Sequence, residues 1–120
     1  MTDITGRWHS HYEYPQGSDN TPQSSEHTIS FVRTDGLWVG TSEQSDGSTV
    51  TISLTSEGNI FSGNWKEETA PEGHYQRRTF SGVLQLALNE HGTELKGFWL
   101  GPSSTGIIKA GSWTLQKVTE

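Results

Sequence analysis

Residues 49–68, TVTISLTSEGNIFSGNWKEE, form two runs with alternating apolar residues on either side of the turn Ser56–Gly58. The alternate apolar positions are Val50, Ile52, Leu54, Phe61 and Trp65. Successive side chains of a β-strand point to opposite faces, so this period of two places all five residues on one face. The stretch therefore predicts a β-hairpin with one buried face.

The same pattern continues along the whole chain. Clusters of Gly, Asn, Asp and Ser recur at intervals of roughly ten residues, a spacing typical of barrels and sandwiches. The 14 Gly residues and the lack of helical periodicity favour strands over helices. We predict eight strands, at Ile4–Tyr14, His27–Arg33, Leu37–Gln44, Ser48–Thr55, Asn59–Glu68, Arg77–Asn89, Thr93–Gly101 and Ile107–Val118. The expected fold is all-β, an eight-stranded antiparallel up-and-down β-barrel in one domain over residues 1–120.

Charge and composition argue against several classes of protein. The net charge is -6, and Arg77-Arg78 is the only basic cluster, so we expect no nucleic-acid partner. The absence of Cys excludes disulfides and thiolate metal sites. The sequence contains no apolar run long enough to span a membrane, and its first residues do not resemble a signal peptide. We expect a cytoplasmic protein without a membrane partner; secretion after removal of a leader is the alternative.

The predicted connections between strands differ in length at the two ends of the barrel. Thr34–Gly36, Ser56–Gly58 and Glu90–Gly92 are short turns with Gly and define a closed end. The segments 15–26 and 69–76 are long and lie at the opposite, open end. Long loops at one rim of a rigid scaffold are a usual place for a binding site, although they are also where surface insertions are tolerated. We predict a site at the open end.

Polar residues predicted to face the barrel interior are concentrated at this open end. They are Ser10, Tyr12, Tyr14, His27, Ser42, Gln44, Glu67, Arg78 and Lys109. A fully packed barrel with a solvated rim would have the same pattern, so both explanations stay open. The aromatic residues among them favour a pocket, because pockets are mostly apolar with a few placed polar groups. The predicted ligand-binding residues are Ser10, Tyr12, Tyr14, Ser42, Gln44, Trp65, Glu67, Arg78, Phe80 and Trp99.

Each Trp follows a Gly by two residues. The pairs are Gly6/Trp8, Gly36/Trp38, Gly63/Trp65, Gly97/Trp99 and Gly111/Trp113. A residue without a Cβ lets a strand coil sharply and leaves room for a neighbouring indole, so the repeat has a packing explanation. Alternation of small and large residues is also how narrow barrel interiors are filled.

Several segments resemble the avidin and streptavidin family in their order and spacing. They are Ile4–Trp8, Val39–Thr41, Trp65-Lys66, Thr79–Gly82, Phe98–Leu100 and Gly111–Val118. The resemblance extends over nearly the whole chain and implies an avidin-like or calycin-like barrel, the latter including the lipocalin-like type. It also implies that Trp65, Phe80 and Trp99 form an aromatic cage, because that family stacks Trp against biotin at these places.

The polar biotin clamp of that family is not retained. Ser10 and Ser42 stand where the family has Asn and Tyr, and Trp113 stands where it has a buried Asp. Each lost buried hydrogen-bonding partner costs on the order of 1–3 kcal/mol. We therefore predict a small-molecule binding protein, without a cofactor, that does not bind biotin tightly.

Two other function classes stay open, and neither needs a metal. Glu67, opposite Arg78, is a weak candidate for the general base of a barrel-type isomerase or cyclase acting on a small hydrophobic substrate. A sensor or protein-interaction module is the other. His9 and His11 share the outer face of the first strand, but the sequence offers no evident third metal ligand.

The outer face of the predicted barrel also carries apolar residues. They are Val32, Leu37, Val39, Ile60, Phe98, Leu100, Ile108 and Val118. Exposed apolar patches usually mark an interface. We predict a homo-oligomer that associates through strands seven and eight.

Overall fold

The computed structural model describes residues 3–16, 21–43, 48–68, 79–102 and 106–118, with the strand backbone alone at 14–16, 21–25 and 43. It has eight strands in chain order: β1 (Gly6–Gln16), β2 (Thr21–Thr34), β3 (Leu37–Glu43), β4 (Thr49–Glu57), β5 (Ile60–Glu68), β6 (Thr79–Leu88), β7 (Glu94–Pro102) and β8 (Ile108–Lys117). Each strand pairs antiparallel with the next, and β1 pairs with β8. The chain is thus a closed up-and-down β-barrel, as predicted.

The barrel interior contains the side chains that the period of two assigned to it. The buried apolar residues are Ile4, Trp8, Ile29, Phe31, Trp38, Val50, Ile52, Leu54, Phe61, Trp65, Leu84, Leu86, Leu88, Leu95, Trp99, Trp113 and Leu115. All of them form one core cluster, against which Tyr12 and Phe80 pack. In the described strands the predicted register is therefore confirmed.

Close approach of neighbouring strands explains three of the Gly residues that precede a Trp. A Cβ on Gly63 would overlap the carbonyl oxygen of Ser53, and one on Gly97 would overlap that of Gln85. A Cβ on Gly111 would meet another main-chain carbonyl, on β1. These backbone atoms belong to the sheet and cannot move away cheaply, so the missing Cβ makes room for the neighbouring strand at Gly63 and Gly97. Within the repeat, the predicted room for an indole is found only at Gly111, beside Trp99.

The tight turn predicted at the closed end between β2 and β3 is present. Asp35 and Gly36 have φ angles of 51° and 82°. Two consecutive residues with positive φ are typical of the type I′ turn, which matches the twist of a hairpin.

The long loop predicted from Pro15 to Glu26 is wrong. β1 and β2 instead continue as a paired hairpin, and their ladder runs to the pair Gln16 and Thr21. Beyond Tyr12 on β1 and before Thr28 on β2, the described residues form no ladder with β8 or β3, so in this part of the chain the hairpin pairs only with itself. Proline is tolerated on such edges because its missing N–H is not needed by a second neighbour.

Candidate ligand-binding site

A small cavity lies inside the barrel, toward the end predicted to be open. Its volume is about 20 Å³, and its lining consists of Tyr12, Val50, Trp65, Glu67, Trp99 and Trp113. Five different strands contribute these residues. A buried water needs about 10–15 Å³, so the cavity holds one small group as it stands.

The aromatic rings around the cavity pack against one another in two pairs. The rings of Trp65 and Trp99 are 5.6 Å apart and nearly perpendicular, at 83°. The rings of Tyr12 and Trp113 are 5.1 Å apart and inclined at 45°. These separations are in the range that favours edge-to-face and tilted contacts between aromatic rings. We call these four side chains the aromatic cluster.

Two indoles of the aromatic cluster are fixed by hydrogen bonds to the barrel wall. Trp65 Nε1 donates to the carbonyl oxygen of Leu100 at 3.2 Å, and Trp99 Nε1 donates to that of Glu13 at 2.8 Å. Both acceptors lie where a ladder stops: β6 and β7 pair as far as Leu100, and β1 and β8 pair as far as Tyr12. The indoles thus satisfy main-chain groups near the ends of these ladders.

The third indole is fixed by a residue that the sequence analysis had assigned to the ligand. Trp113 Nε1 donates to Ser10 Oγ at 2.7 Å, and Ser42 Oγ accepts a hydrogen bond from the backbone N–H of Val50 at 2.8 Å. Both serines are buried, and neither lines the cavity. Their hydroxyl groups therefore support the barrel wall in this structure.

Glu67 is the acidic residue of the cavity lining, which is almost entirely apolar. The phenol oxygen of Tyr12, on β1, lies 3.4 Å from Glu67 Oε2, on β5, across the barrel interior. This is longer than the usual O–H···O bond of about 2.5–3.0 Å. Phe80, the ladder partner of Glu67, is half-buried against the core and does not line the cavity.

The most unusual polar side chain near the aromatic cluster is His27. It is 6% exposed, and its ring lies 5.5 Å from the Tyr12 ring at 75°. Neither ring nitrogen has a hydrogen-bond partner among the described residues. Burial, with a smaller contribution from the charge of His9, lowers the pKa of His27 from 6.5 to about 4. At neutral pH the ring is thus uncharged, with one donor and one acceptor unsatisfied.

The sequence analysis placed His27 in the interior but omitted it from the predicted site. The period-two pattern was the available signal, because it put His27 on the same face as Tyr12. Its lack of partners depends on which side chains surround it in three dimensions. The structure does not place the side chains of three predicted site residues: Gln44 and Arg78 lie outside the described residues, and only the backbone of Tyr14 is described.

A larger concavity lies on the outside of the barrel, over β4, β5 and β6. Its volume is about 490 Å³, and it is lined by Thr51, Ser53, Asn64, Trp65, Lys66, Ser81 and Gly82. It is open to solvent, its lining is about equally polar and apolar, and Trp65 is its single aromatic residue. The interior cavity has the character expected of a ligand site, since aromatic side chains enclose it and its lining is almost entirely apolar.

The outer face of β1 gives His9 and His11 an acidic neighbour. Glu26 Oε1 lies 3.8 Å from His9 Nε2 and 3.2 Å from His11 Nδ1. Nevertheless, no group of three or more His, Cys, Asp or Glu residues within the described ranges is arranged to hold a metal ion.

Strands β6, β7 and β8 expose apolar side chains on the outside of the barrel. Phe98 is 68% exposed, and Val83, Leu100 and Ile108 are exposed as well. Val83 and Leu100 are direct ladder partners, so the exposed residues are neighbours on the sheet. This is the face on which self-association is predicted.

The described part of the chain has no helix long and apolar enough to cross a membrane.

Comparison of the sequence with protein-family models and with curated proteins finds no match. The resemblance to the avidin and streptavidin family therefore stays a prediction from short segments.

Proposed function

We propose that this protein binds a small, mainly apolar ligand at the open end of the barrel, against the aromatic cluster and Glu67. The observation that carries the proposal is the convergence of three Trp and one Tyr around a cavity that is almost entirely apolar, with Glu67 at its edge. Aromatic side chains provide large contact areas, and an acidic group among them fixes the orientation of a ligand.

Tyr12 is the side chain that a ligand would displace. The cavity of about 20 Å³ is too small for a whole organic molecule, so one wall has to move. Tyr12 is half-buried, whereas the three Trp residues are buried. Its ring packs against both Trp113 and His27. Rotation of Tyr12 would enlarge the cavity and uncover the nitrogens of His27, which have no partner among the described residues, for a polar group of the ligand.

The proposal is tested by ligand-observed NMR with benzyl alcohol, indole and cyclohexanol as probes. We expect at least one probe to bind wild-type protein and Trp65→Ala to weaken it about fivefold or more, because a stacking surface is lost. The control is Leu86→Ala, at a core position near the closed end that is 1% exposed. It should lower the melting temperature but leave affinity unchanged wherever the protein is folded.

Two results would contradict the proposal. One is that no probe binds at millimolar concentration and native mass spectrometry finds no small molecule on the purified protein. The other is that folded Leu86→Ala loses binding while Trp65→Ala binds normally. This would place the site at the closed end of the barrel instead of the open end.

Ligand turnover, with Glu67 as a base, is the alternative function. The phenol of Tyr12 beside the Glu67 carboxylate is the observation that favours it, since the two groups are 3.4 Å apart and both line the cavity. A general base must lie within hydrogen-bond reach of the proton it abstracts. Conversion of a bound ligand by wild type but not by Glu67→Gln is the expected result for an enzyme.

A further inference from the structure

His27 is a buried polar side chain of the barrel interior, and neither of its ring nitrogens has a hydrogen-bond partner within the part of the chain that the structure describes. Ser10, its ladder partner on β1, shares the inner face, but the Ser10 hydroxyl oxygen accepts the indole N–H of Trp113. Buried polar groups of folded proteins are normally hydrogen-bonded. A partner that arrives with a ligand would account for this exception.

The ring of Tyr12 contacts both the imidazole of His27 and the indole of Trp113. Its centroid lies 5.5 Å from the first ring and 5.1 Å from the second. Tyr12 is half-buried, lines the cavity and forms the last pair of the ladder between β1 and β8. A flat ring that takes the place of the displaced Tyr12 ring would therefore contact the same two neighbours, one of them with unsatisfied nitrogens.

We propose that the ligand is a neutral alcohol on an apolar ring, and that its hydroxyl group bonds to His27 once the Tyr12 ring has moved out of the cavity. This inference rests on the proposed function and adds the chemical class of the ligand, with His27 as the residue that selects it.

The properties of the imidazole and of the cavity lining both favour an uncharged hydroxyl group. Burial lowers the pKa of His27 to about 4, so at neutral pH the ring offers one donor and one acceptor. A hydroxyl group both donates and accepts, so it matches either tautomer of this ring. An ammonium or a carboxylate group would lose its hydration against a lining that is almost entirely apolar, which costs far more than burying a hydroxyl group with a hydrogen bond.

The experiment compares benzyl alcohol with toluene, which has the same ring without the hydroxyl group. Ligand-observed NMR titrations of wild-type protein and His27→Leu give the dissociation constants. His27→Leu should weaken benzyl alcohol about tenfold and leave toluene within about twofold, because only the alcohol loses a hydrogen bond. Each ligand is compared with itself across the two proteins, so the greater hydrophobicity of toluene does not enter the result. Benzylammonium and benzoate should bind wild-type protein about tenfold more weakly than benzyl alcohol, or worse.

The matched control is His91→Leu, the same substitution at a side chain that is 78% exposed in a turn of the closed end. It should leave the affinity for both compounds within about twofold. A melting temperature of His27→Leu at or above that of wild type would show that its loss of alcohol binding is not a loss of fold.

The imidazole ¹⁵N signals of His27 report the contact directly. Which ring nitrogen carries the proton depends on the hydrogen bond that the ring makes, so these signals should shift at pH 7 when benzyl alcohol binds. Toluene should shift them much less, because it offers neither a donor nor an acceptor.

Several results would overturn the inference and leave the proposed function in place. They are equal effects of His27→Leu on benzyl alcohol and toluene, binding of toluene without binding of benzyl alcohol, tighter binding of benzylammonium or benzoate than of the alcohol, and unchanged ¹⁵N signals of His27 in the complex with benzyl alcohol. If no compound of this series and no other neutral probe binds, both proposals fail.

Discussion

Removing the imidazole of His27 should change the dependence of stability on pH. The folded protein buries this ring without a partner for either nitrogen in the described structure, and burial lowers its pKa from 6.5 to about 4. Between pH 6.5 and pH 4 the unfolded chain therefore binds a proton that the folded chain excludes. The free energy of unfolding should fall as the pH falls through this window, and it should be fully retained above it.

The size of the effect follows from the difference between the two pKa values. One pKa unit corresponds to about 1.4 kcal/mol, so the full shift is equivalent to roughly 3 kcal/mol. Screening by solvent near the rim reduces this, and we expect a loss of about 2 kcal/mol on going from pH 7 to pH 4. His27→Leu should lack this loss. At pH 7 it should be more stable than wild type by about 1 kcal/mol or more, because unsatisfied buried polar atoms are removed.

Urea denaturation of wild type and His27→Leu at half-unit steps from pH 7.5 to pH 4 measures the difference directly. Groups common to both proteins cancel in the comparison, apart from the smaller effect of the His9 charge, which acts through His27. Asp3, whose pKa is lowered mainly by its hydrogen bonds with Thr5, affects stability below the window and also cancels. His91→Gln is the control, since that side chain is 78% exposed. Parallel stability curves for wild type and His27→Leu would refute the reasoning.

Three further predictions concern the wall, the outer face and the family resemblance. Gly63→Ala should destabilise the protein by about 1–3 kcal/mol in urea denaturation, because the added Cβ would overlap a main-chain carbonyl. The control Asn64→Ala, on the exposed face, should change stability by less than about 0.5 kcal/mol. Phe98→Asp should lower the assembly state in light scattering, because a charge would be desolvated in the interface, and a monomeric wild type would contradict this. Biotin should bind weakly in isothermal titration, since Ser10 and Ser42 already bond to the wall, and nanomolar affinity would show that the alignment is wrong.

The sequence predicted the fold well because the decisive signals are local. Alternating apolar residues, such as Val50, Ile52 and Leu54, indicate a strand with one buried face, and this signal does not depend on residues elsewhere in the chain. Short turns with Gly, such as Asp35-Gly36, require antiparallel neighbours. Eight such segments with short connections favour closure into a barrel, which satisfies both edges of the sheet.

Local signals failed where pairing depended on distant strands. The sequence predicted a loop at Pro15 and Pro22, but these two residues are ladder partners in the hairpin of β1 and β2, where the described residues form no second ladder. A strand edge without a second partner does not need the N–H groups that proline lacks. Whether a proline breaks a strand thus depends on how many neighbours that strand has, which the sequence around it does not specify.

The amino-acid sequence by itself determined which side chains enter the barrel, including Tyr12, His27, Trp65, Glu67 and Trp99, because orientation in a strand follows from residue parity. Only the tertiary structure decided what each of them does there. The ends of the ladders determine which carbonyls accept the indole N–H groups, and the packing of Tyr12 determines how little space remains. The same packing leaves His27 without a partner in the described structure. Hydrogen bonds across a barrel join residues far apart in sequence, such as Trp99 and Glu13, and no local pattern encodes that pairing.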